Sequence, residues 1–128
     1  MEKVEHDLLT SKHTEVYHEN PEDMRYSAPH HFTVQKVSVP NQPYVPGKEG
    51  LLSKVDFQEG PIKECGVNGV LNEDLIAMVI CRLEHFQKSE FSCRENALTI
   101  TKLEEALLWL RKRTMGREKR GVVGTYVK

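Results

Sequence analysis

Apolar side chains recur at helical spacing in two segments of the second half of the chain. The first segment begins at Asn72, a helix-capping residue type, and its apolar positions are Leu75, Ile76, Val79, Ile80, Leu83 and Phe86. The second segment has its apolar positions at Ile100, Leu103, Leu107 and Leu110. A short polar run, residues 87–92, separates them, and Gly116 is the predicted C-terminal cap of the second helix. This pattern predicts an antiparallel two-helix hairpin.

The first half of the chain has the composition of a small β region. Residues 31–34 and 37–39 predict one strand whose alternation slips at Gln35 and Lys36 through a bulge, and residues 51–57 predict a second. Between them, Pro40, Pro43, Pro46 and Gly47 predict a loop.

The two ends of the chain have weaker patterns. Residues 1–27 are polar and predict either a mobile arm or a short helix around residues 7–11. Residues 117–127 predict an extended tail that pairs with the sheet or crosses to another subunit. We therefore expect an α+β fold in one compact domain, with an N-terminal arm and small β region over residues 1–70 and a helical hairpin with a basic tail over 71–128.

Both predicted helices are apolar on more than one face. One partner helix cannot cover that much apolar surface. The additional apolar positions are Ala77, Met78 and Cys81 on the first helix and Leu98, Leu108 and Trp109 on the second. The sequence therefore predicts a homo-oligomer.

Charge is uneven along a chain of nearly zero net charge. The formal net charge of the 128 residues is -1 and the pI is about 6.6, which argues against binding a nucleic acid polymer. Residues 1–30 carry a net charge of -4 and residues 101–128 a net charge of +5. This local excess suits a compact anion. The chain has neither a signal-peptide pattern nor an apolar run long enough for a membrane, so we expect a cytoplasmic location.

The sequence contains no residue pattern that indicates a catalytic or metal-binding site. Glu104 and Glu105 are adjacent and point to different helix faces, and His85 lies off the main apolar stripe. His30 and His31 form a bare pair, and His13 and His18 are five residues apart with no Cys or Asp partner at ligand spacing. The three cysteines, which are Cys65, Cys81 and Cys93, show no CxxC spacing and are expected to be reduced, small apolar side chains. We expect no catalytic residue, metal or cofactor.

Five residues are better suited to holding a ligand. Aromatic rings and guanidinium groups stack on bases, amides hydrogen-bond to polar edges, and arginines bind phosphate. The candidates are Phe86, Asn96, Arg113, Arg117 and Arg120. Each also has a structural alternative, as a core residue, a helix cap or a solvated helix end.

Helix geometry limits how these residues can act together. Asn96 and Arg113 are seventeen positions apart on one predicted helix, or roughly 25 Å along its axis. Phe86 and Asn96, however, flank the same predicted turn. If two hairpins pack antiparallel, the turn of one meets the Arg113 end of the other, so a complete pocket would exist only in the oligomer.

Several longer motifs resemble one family of small bacteriophage proteins. These are the anti-Thoeris signal sponges, which are related through the same helical hairpin to the anti-CBASS cyclic-nucleotide sponges. The motifs lie in about the C-terminal seventy residues, at 57–64, 66–70, 72–75, 82–83, 86–87, 93–98, 101–107, 109–110, 113–114 and 120–125.

The resemblance implies a non-enzymatic protein that sequesters cyclic ADP-ribose isomers made by bacterial TIR-domain enzymes, as dimers grouped into hexamers. Phe86 would stack on the adenine, Asn96 would hydrogen-bond the ligand, and Arg113 of a neighbouring chain would stack or bind phosphate. Some relatives also hold cyclic di- or trinucleotides at a separate site. The residues that would bind cyclic ADP-ribose are Phe86, Asn96, Trp109, Arg113 and Arg117, and those of the second site are Gly66, Asn68, Gly69, Arg120, Gly124 and Thr125.

Two other functional classes remain open. A phosphodiesterase or glycohydrolase would cleave the same ligand, and a protein-interaction module would bind a host protein through its exposed helices and ignore cyclic nucleotides.

Overall fold

A computed structural model of the chain describes residues 1–37 and 50–128. Antiparallel strands and helices occur together in these residues, which confirms the predicted α+β class. The predicted strand residues 38–39 and the predicted loop at Pro40, Pro43, Pro46 and Gly47 lie outside the described residues. The elements are β1 (Glu2–Lys3), β2 (Thr14–His18), a 3₁₀ turn (Pro21–Asp23), β3 (His31–Lys36), β4 (Leu51–Asp56), α1 (Ile62–Cys65), α2 (Asn72–Gln87) and α3 (Arg94–Lys119).

The described residues form two compact units. The first, the sheet unit, comprises the described residues of the ranges 1–60 and 67–69, and the second, the helical unit, comprises residues 61–66 and 70–128. The domain division that the sequence suggests at residue 70 stays a prediction.

The sheet unit contains a four-stranded antiparallel meander in the order β1-β2-β3-β4. Val34 of β3 pairs with Val16 on one side and with Ser53 on the other. The next pair joins Gln35 to Leu51, so the β4 strand has one extra residue at this point. A bulge therefore lies beside Gln35, next to the position where the sequence alternation slips.

Residues 1–27 do not form the predicted arm or helix. They contribute β1 and β2, and Val4 extends the pairing by donating its backbone N–H to Val16 at 2.8 Å. The prediction was wrong because β2 is only five residues long and two of its residues, Glu15 and His18, are charged or titratable. Its stability comes from pairing with β3, which local sequence does not reveal.

Helix α2 starts and packs slightly differently from the prediction. Asn72 is its first helical residue, so Leu71 occupies the cap position and Asn72 is not the cap. Asp74 accepts the Leu71 backbone N–H at 2.8 Å, which satisfies a donor at the helix start. Ile80 is buried whereas Val79 is 46% exposed, so the packed face is centred one position away from the predicted stripe.

Helix α3 contacts α2 and continues past its predicted end. Gly116 lies inside the helix, and the C-terminal cap forms around Gly121, which has φ of 69°. Gly121 donates its N–H to Glu118 O at 3.0 Å, and Val122 donates to Arg117 O at 3.0 Å, as in a Schellman motif. Residues after the cap form turns and not the predicted extended tail.

Many apolar groups of the helical unit are exposed in the single chain. Leu108 is 69% exposed, Trp109 68% and Met78 60%. The side chains of Cys65, Cys81 and Cys93 are also exposed, so the prediction that they serve as small apolar side chains is wrong for the single chain. In the described residues, no helix has the length and apolar character needed to cross a membrane.

A histidine surrounded by carboxylates joins strands of the sheet unit. His31 on β3 contacts Asp56 on β4 through Nδ1 and Oδ1 at 2.8 Å, and its Nε2 lies 3.4 Å from Glu59 and 3.7 Å from Glu19. The buried Glu19 also accepts the backbone N–H groups of His30 and His31. The hydrogen bond that His31 donates to Asp56 raises the pKa of His31 above its usual value of 6.5, and the charges of Glu19 and Glu59 act in the same direction, against the lowering effect of partial burial.

We expect His31→Gln to destabilise the protein more at low pH than at high pH. The raised pKa means that the His31 contribution to the free energy of unfolding is fully present below 6.5 and is lost as pH rises through the higher folded-state pKa. Urea midpoints of wild type and variant should therefore differ more at about pH 6 than at about pH 9. His13→Gln, at an exposed position of the same unit, is the control. An equal difference at both pH values would contradict the interpretation.

Candidate functional site

Phe86 and Asn96 lie on either side of the connection between α2 and α3. Phe86 is in the last turn of α2 and Asn96 in the first turn of α3, and both are half-buried. The Gln87 side-chain amide closes the connection, because its Oε1 accepts the Cys93 N–H and its Nε2 donates to the Cys93 carbonyl, each at 2.9 Å. We call this pair of hydrogen bonds the Gln87 clasp. It fixes the distance between the helix ends that carry Phe86 and Asn96.

The ring of Phe86 has a cationic and an aromatic neighbour. The Arg82 guanidinium carbon lies 5.5 Å from the Phe86 ring centroid, and the Phe91 ring meets Phe86 edge to face with centroids 6.4 Å apart. Phe91 itself is 64% exposed. The turn end therefore offers an aromatic surface with a positive charge beside it, and both groups can stack on a purine.

The opposite end of α3 forms a second candidate surface, a groove of about 510 Å³. This volume lies in the usual range for small-molecule sites, about 300–1,000 Å³. We call it the basic groove, and its lining residues are Trp109, Lys112, Arg113, Gly116, Arg117, Arg120 and Lys128.

Helical spacing explains why these side chains share one surface. Trp109, Arg113 and Arg117 follow one another at intervals of four, which places them in a row along α3. A second row contains Lys112 and Gly116, and the Lys112 ammonium lies 5.0 Å from the Trp109 ring centroid. The groove thus combines an exposed indole with a concentration of cations, which suits an anion that carries an aromatic base.

The two arginines of the first row differ in their surroundings. Arg113 is exposed, whereas Arg117 is half-buried and donates to three backbone carbonyls of the segment after the helix. Its Nη2 donates to Val122 O at 2.9 Å and to Thr125 O at 3.0 Å, and its Nη1 donates to Val127 O at 2.6 Å. Arg117 therefore holds residues 122–127 against the end of α3.

The structure separates the predicted cyclic ADP-ribose residues into two groups. It places Phe86 with Asn96 at the connection, and Trp109, Arg113 and Arg117 in the basic groove. Asn96 and Arg113 belong to the same helix, and their separation of seventeen residues corresponds to roughly 25 Å. A single chain does not bring the two groups to one small ligand.

The predicted second-site residues are also divided. The Gly124 carbonyl accepts the Lys63 N–H at 3.2 Å, which ties the C-terminal segment to α1, the helix that Gly66 caps at its C-terminus. Asn68 lies in the sheet unit and exchanges hydrogen bonds with the Glu59 backbone, accepting at 2.8 Å and donating at 2.7 Å. The remaining members are Arg120 in the basic groove, Thr125 in the Arg117-held segment and Gly69 in the sheet unit.

Sequence reasoning missed several contributors to these surfaces, among them Arg82, Gln87 and Lys128. The i, i+4 spacing of Arg82 and Phe86 was a usable signal for the cation beside the ring. Gln87 gave no signal, because its clasp forms only when the connection closes on Cys93. Lys128 gave none either, because it reaches the groove only through the folded C-terminal segment.

Comparison with known proteins identifies the family. Residues 52–115 match the family described as the Acb2/Tad1 hairpin domain, and the full chain is similar to Thoeris anti-defense 1 of Bacillus phage SBSphiJ7. The two sequences are 52% identical over 142 residues, and the alignment covers 100% of each. The chain belongs to the Acb2/Tad1 hairpin family.

This membership confirms the resemblance to the phage anti-Thoeris and anti-CBASS sponge family. The matched Acb2/Tad1 region includes the connection and the first part of the basic groove, with Phe86, Asn96, Trp109 and Arg113. It ends before Arg117, so the arginine and the segment that it holds lie beyond the matched domain.

One proposed second-site residue has a steric role that can be tested. A Cβ at Gly69 would lie 2.4 Å from the carbonyl carbon of Phe57, whereas one at Gly116 would meet nothing within 4 Å. Gly69→Ala should therefore lower the free energy of unfolding by about 1–3 kcal/mol. Gly116→Ala, inside a helix, should raise it by about 0.5–1 kcal/mol.

Chemical denaturation at a fixed protein concentration measures the free energy of unfolding of the wild type and of both glycine variants. If the Gly69→Ala variant is as stable as the wild type, the Phe57 backbone moves aside at no cost and the predicted steric role of Gly69 is wrong.

Proposed function

We propose that this chain is a bacteriophage anti-defence protein that binds and sequesters cyclic ADP-ribose isomers of Thoeris immunity in the host cytoplasm. The observation that carries the proposal is full-length similarity, at 52% identity, to a protein named Thoeris anti-defense 1. The chemistry of the two candidate surfaces supports it. A cyclic ADP-ribose carries an adenine, ribose hydroxyls and two phosphates, which match an aromatic ring, an amide and a group of cations.

In the proposed complex each ligand lies between two protomers. Phe86 of one protomer stacks on the adenine and Asn96 hydrogen-bonds the ligand. Arg113 of the other protomer binds phosphate in its basic groove, beside Trp109 and Arg117. The 25 Å estimated between Asn96 and Arg113 supports this arrangement, because it is longer than the ligand.

Self-association follows from the same proposal. The two helices form an antiparallel hairpin that pairs with a second copy, and the pairs assemble further into hexamers. The exposure of Leu108, Trp109 and Met78 in the single chain supports burial against other copies. Antiparallel pairing brings the connection of each protomer to the basic groove of its mate.

We propose a binder and not an enzyme. Phe86, Asn96, Trp109 and the arginines offer stacking and hydrogen bonds but neither a nucleophile nor a general base. Cys81 and His85 do lie 3.9 Å apart on α2, yet His85 Nδ1 is 2.9 Å from the Cys81 carbonyl. A carbonyl oxygen only accepts, so that nitrogen carries a proton and cannot deprotonate the thiol. Sequestration then works by mass action alone.

The family resemblance extends the proposal to cyclic di- and trinucleotides at a separate site. The contact between Lys63 and Gly124, which joins the C-terminal segment to the helix that Gly66 caps, supports a site that includes Arg120 and Thr125. Asn68 and Gly69 enter the proposal on the resemblance alone.

Ligand binding and ligand fate test the main proposal together. In thermal shift measurements with a panel of cyclic ADP-ribose isomers, binding should raise wild-type stability by about 2.7 kcal/mol at one hundred times Kd. The bound ligand should return chemically intact after heat denaturation. Phe86→Ala and Asn96→Glu should abolish the shift, and Arg111→Ala, an exposed arginine paired with Glu118, should retain it.

The same experiment distinguishes the other functions. Recovery of a cleaved product would favour a hydrolase. No shift with any cyclic ADP-ribose isomer or cyclic oligonucleotide would favour a protein-interaction module.

Complementation tests whether the site is shared. Phe86→Ala and Arg113→Ala proteins should each bind no ligand, but co-refolding equal amounts should restore binding at about a quarter of the sites. In a mixed dimer one site carries both substitutions and the other carries neither. Failure of the mixture to bind, with mixed dimers demonstrated by mass spectrometry, would exclude a site shared in this way.

A further inference from the structure

We infer that Arg117 is a positioning residue of the basic groove: it anchors the C-terminal segment, and the anchored segment brings Lys128 to the ligand. The inference rests on the proposed function, because it assigns roles within the proposed ligand site. It gives Arg117 and Arg113 different roles, although both are arginines in the same row of α3.

The hydrogen bonds of the guanidinium carry this assignment. Three of its donor contacts, at 2.9, 3.0 and 2.6 Å, go to the carbonyls of Val122, Thr125 and Val127. A guanidinium has five N–H groups, so the C-terminal segment engages most of this one. A phosphate that took over the same donors would leave backbone carbonyls without partners, at a cost to binding.

The segment itself is built to meet Arg117. The cap at Gly121 reverses the chain, so Val122 follows directly beside the last turn of α3. The Thr125 hydroxyl donates to Val122 O at 2.6 Å and accepts the Val127 N–H at 3.3 Å, which forms a compact turn. Gly124 is tied to Lys63 on the other side. Arg117 thus closes a structure that local hydrogen bonds have already shaped.

The anchored C-terminal segment forms one side of the basic groove. Lys128 lines the basic groove together with residues of α3, although it is nine residues beyond the end of that helix. Its ammonium contributes to the groove only while the preceding residues stay folded against Arg117. Arg113, which is exposed one turn earlier, is the arginine available for direct contact with an anion.

A double-mutant cycle with Lys128 tests this division of roles. With the cyclic ADP-ribose isomer that wild type binds, Lys128→Ala should lower affinity roughly tenfold, as expected for one charge-assisted contact. Arg117→Ala should lower it at least as much, and Lys128→Ala should then add nothing. Lys112→Ala, at a groove residue that belongs to α3 itself, and Lys128→Ala should instead lower affinity independently. If Lys128→Ala costs the same factor with and without Arg117, the inference is wrong.

Arg117→Lys provides a sharper distinction. Lysine keeps the positive charge but lacks the planar guanidinium that reaches three carbonyls. A positioning role therefore predicts that Arg117→Lys lowers ligand affinity as much as Arg117→Ala does. Retention of near wild-type affinity by Arg117→Lys would identify a charge contact with the ligand and overturn the inference.

Hydrogen exchange without ligand tests the anchor separately from the proposed function. Amides of residues 122–127 should exchange faster in Arg117→Ala than in wild type, while Arg111→Ala and Arg113→Ala leave them unchanged. Unchanged exchange in Arg117→Ala would refute the anchor. Absence of binding by wild type to every cyclic ADP-ribose isomer would refute the proposed function, and the exchange result would still decide the anchor.

Discussion

The axial rise of an α-helix, about 1.5 Å per residue, is the constraint on which the proposed site depends. Because α3 is continuous from Arg94 to Lys119, Asn96 and Arg113 are held at a fixed and large separation. The amide at one end and the cations at the other cannot approach through a side-chain movement. In the proposed complex, a small ligand that contacts both is therefore shared between copies of the chain, so that binding and assembly are parts of one equilibrium.

Short-range sequence patterns predicted the long helices well and their ends poorly. Ile100, Leu103 and Leu107 gave the packed face of α3 directly, because apolar side chains at alternating intervals of three and four share one face of a helix but not of a strand. Gly116 and Gly121 are equally plausible caps by residue type. Only the second has φ in the left-handed region, and the choice depends on how the following residues fold back.

The site was predictable to the extent that its chemistry resides in residue types. Phe86, Asn96 and Arg113 could be chosen as stacking and hydrogen-bonding groups, and the helix rise gave their separation. The Gln87 clasp and the Arg117 hydrogen bonds were not predictable, because each joins a side chain to backbone atoms placed by a turn. For the same reason, the His31 carboxylate cluster depends on strand pairing and has no local sequence signal.

The Gln87 clasp also bears on how relatives of this protein can diverge. The clasp joins the end of α2 directly to Cys93, so it ties the two helix ends together without the side chains of residues 88–92. Two of those residues contact Phe86 instead: the Ser89 hydroxyl donates to Phe86 O at 2.6 Å, and the Phe91 ring meets the Phe86 ring edge to face. In the proposed site, substitutions at Ser89 or Phe91 would therefore change the surroundings of the stacking ring, and hence ligand preference, while the clasp keeps the helix ends tied.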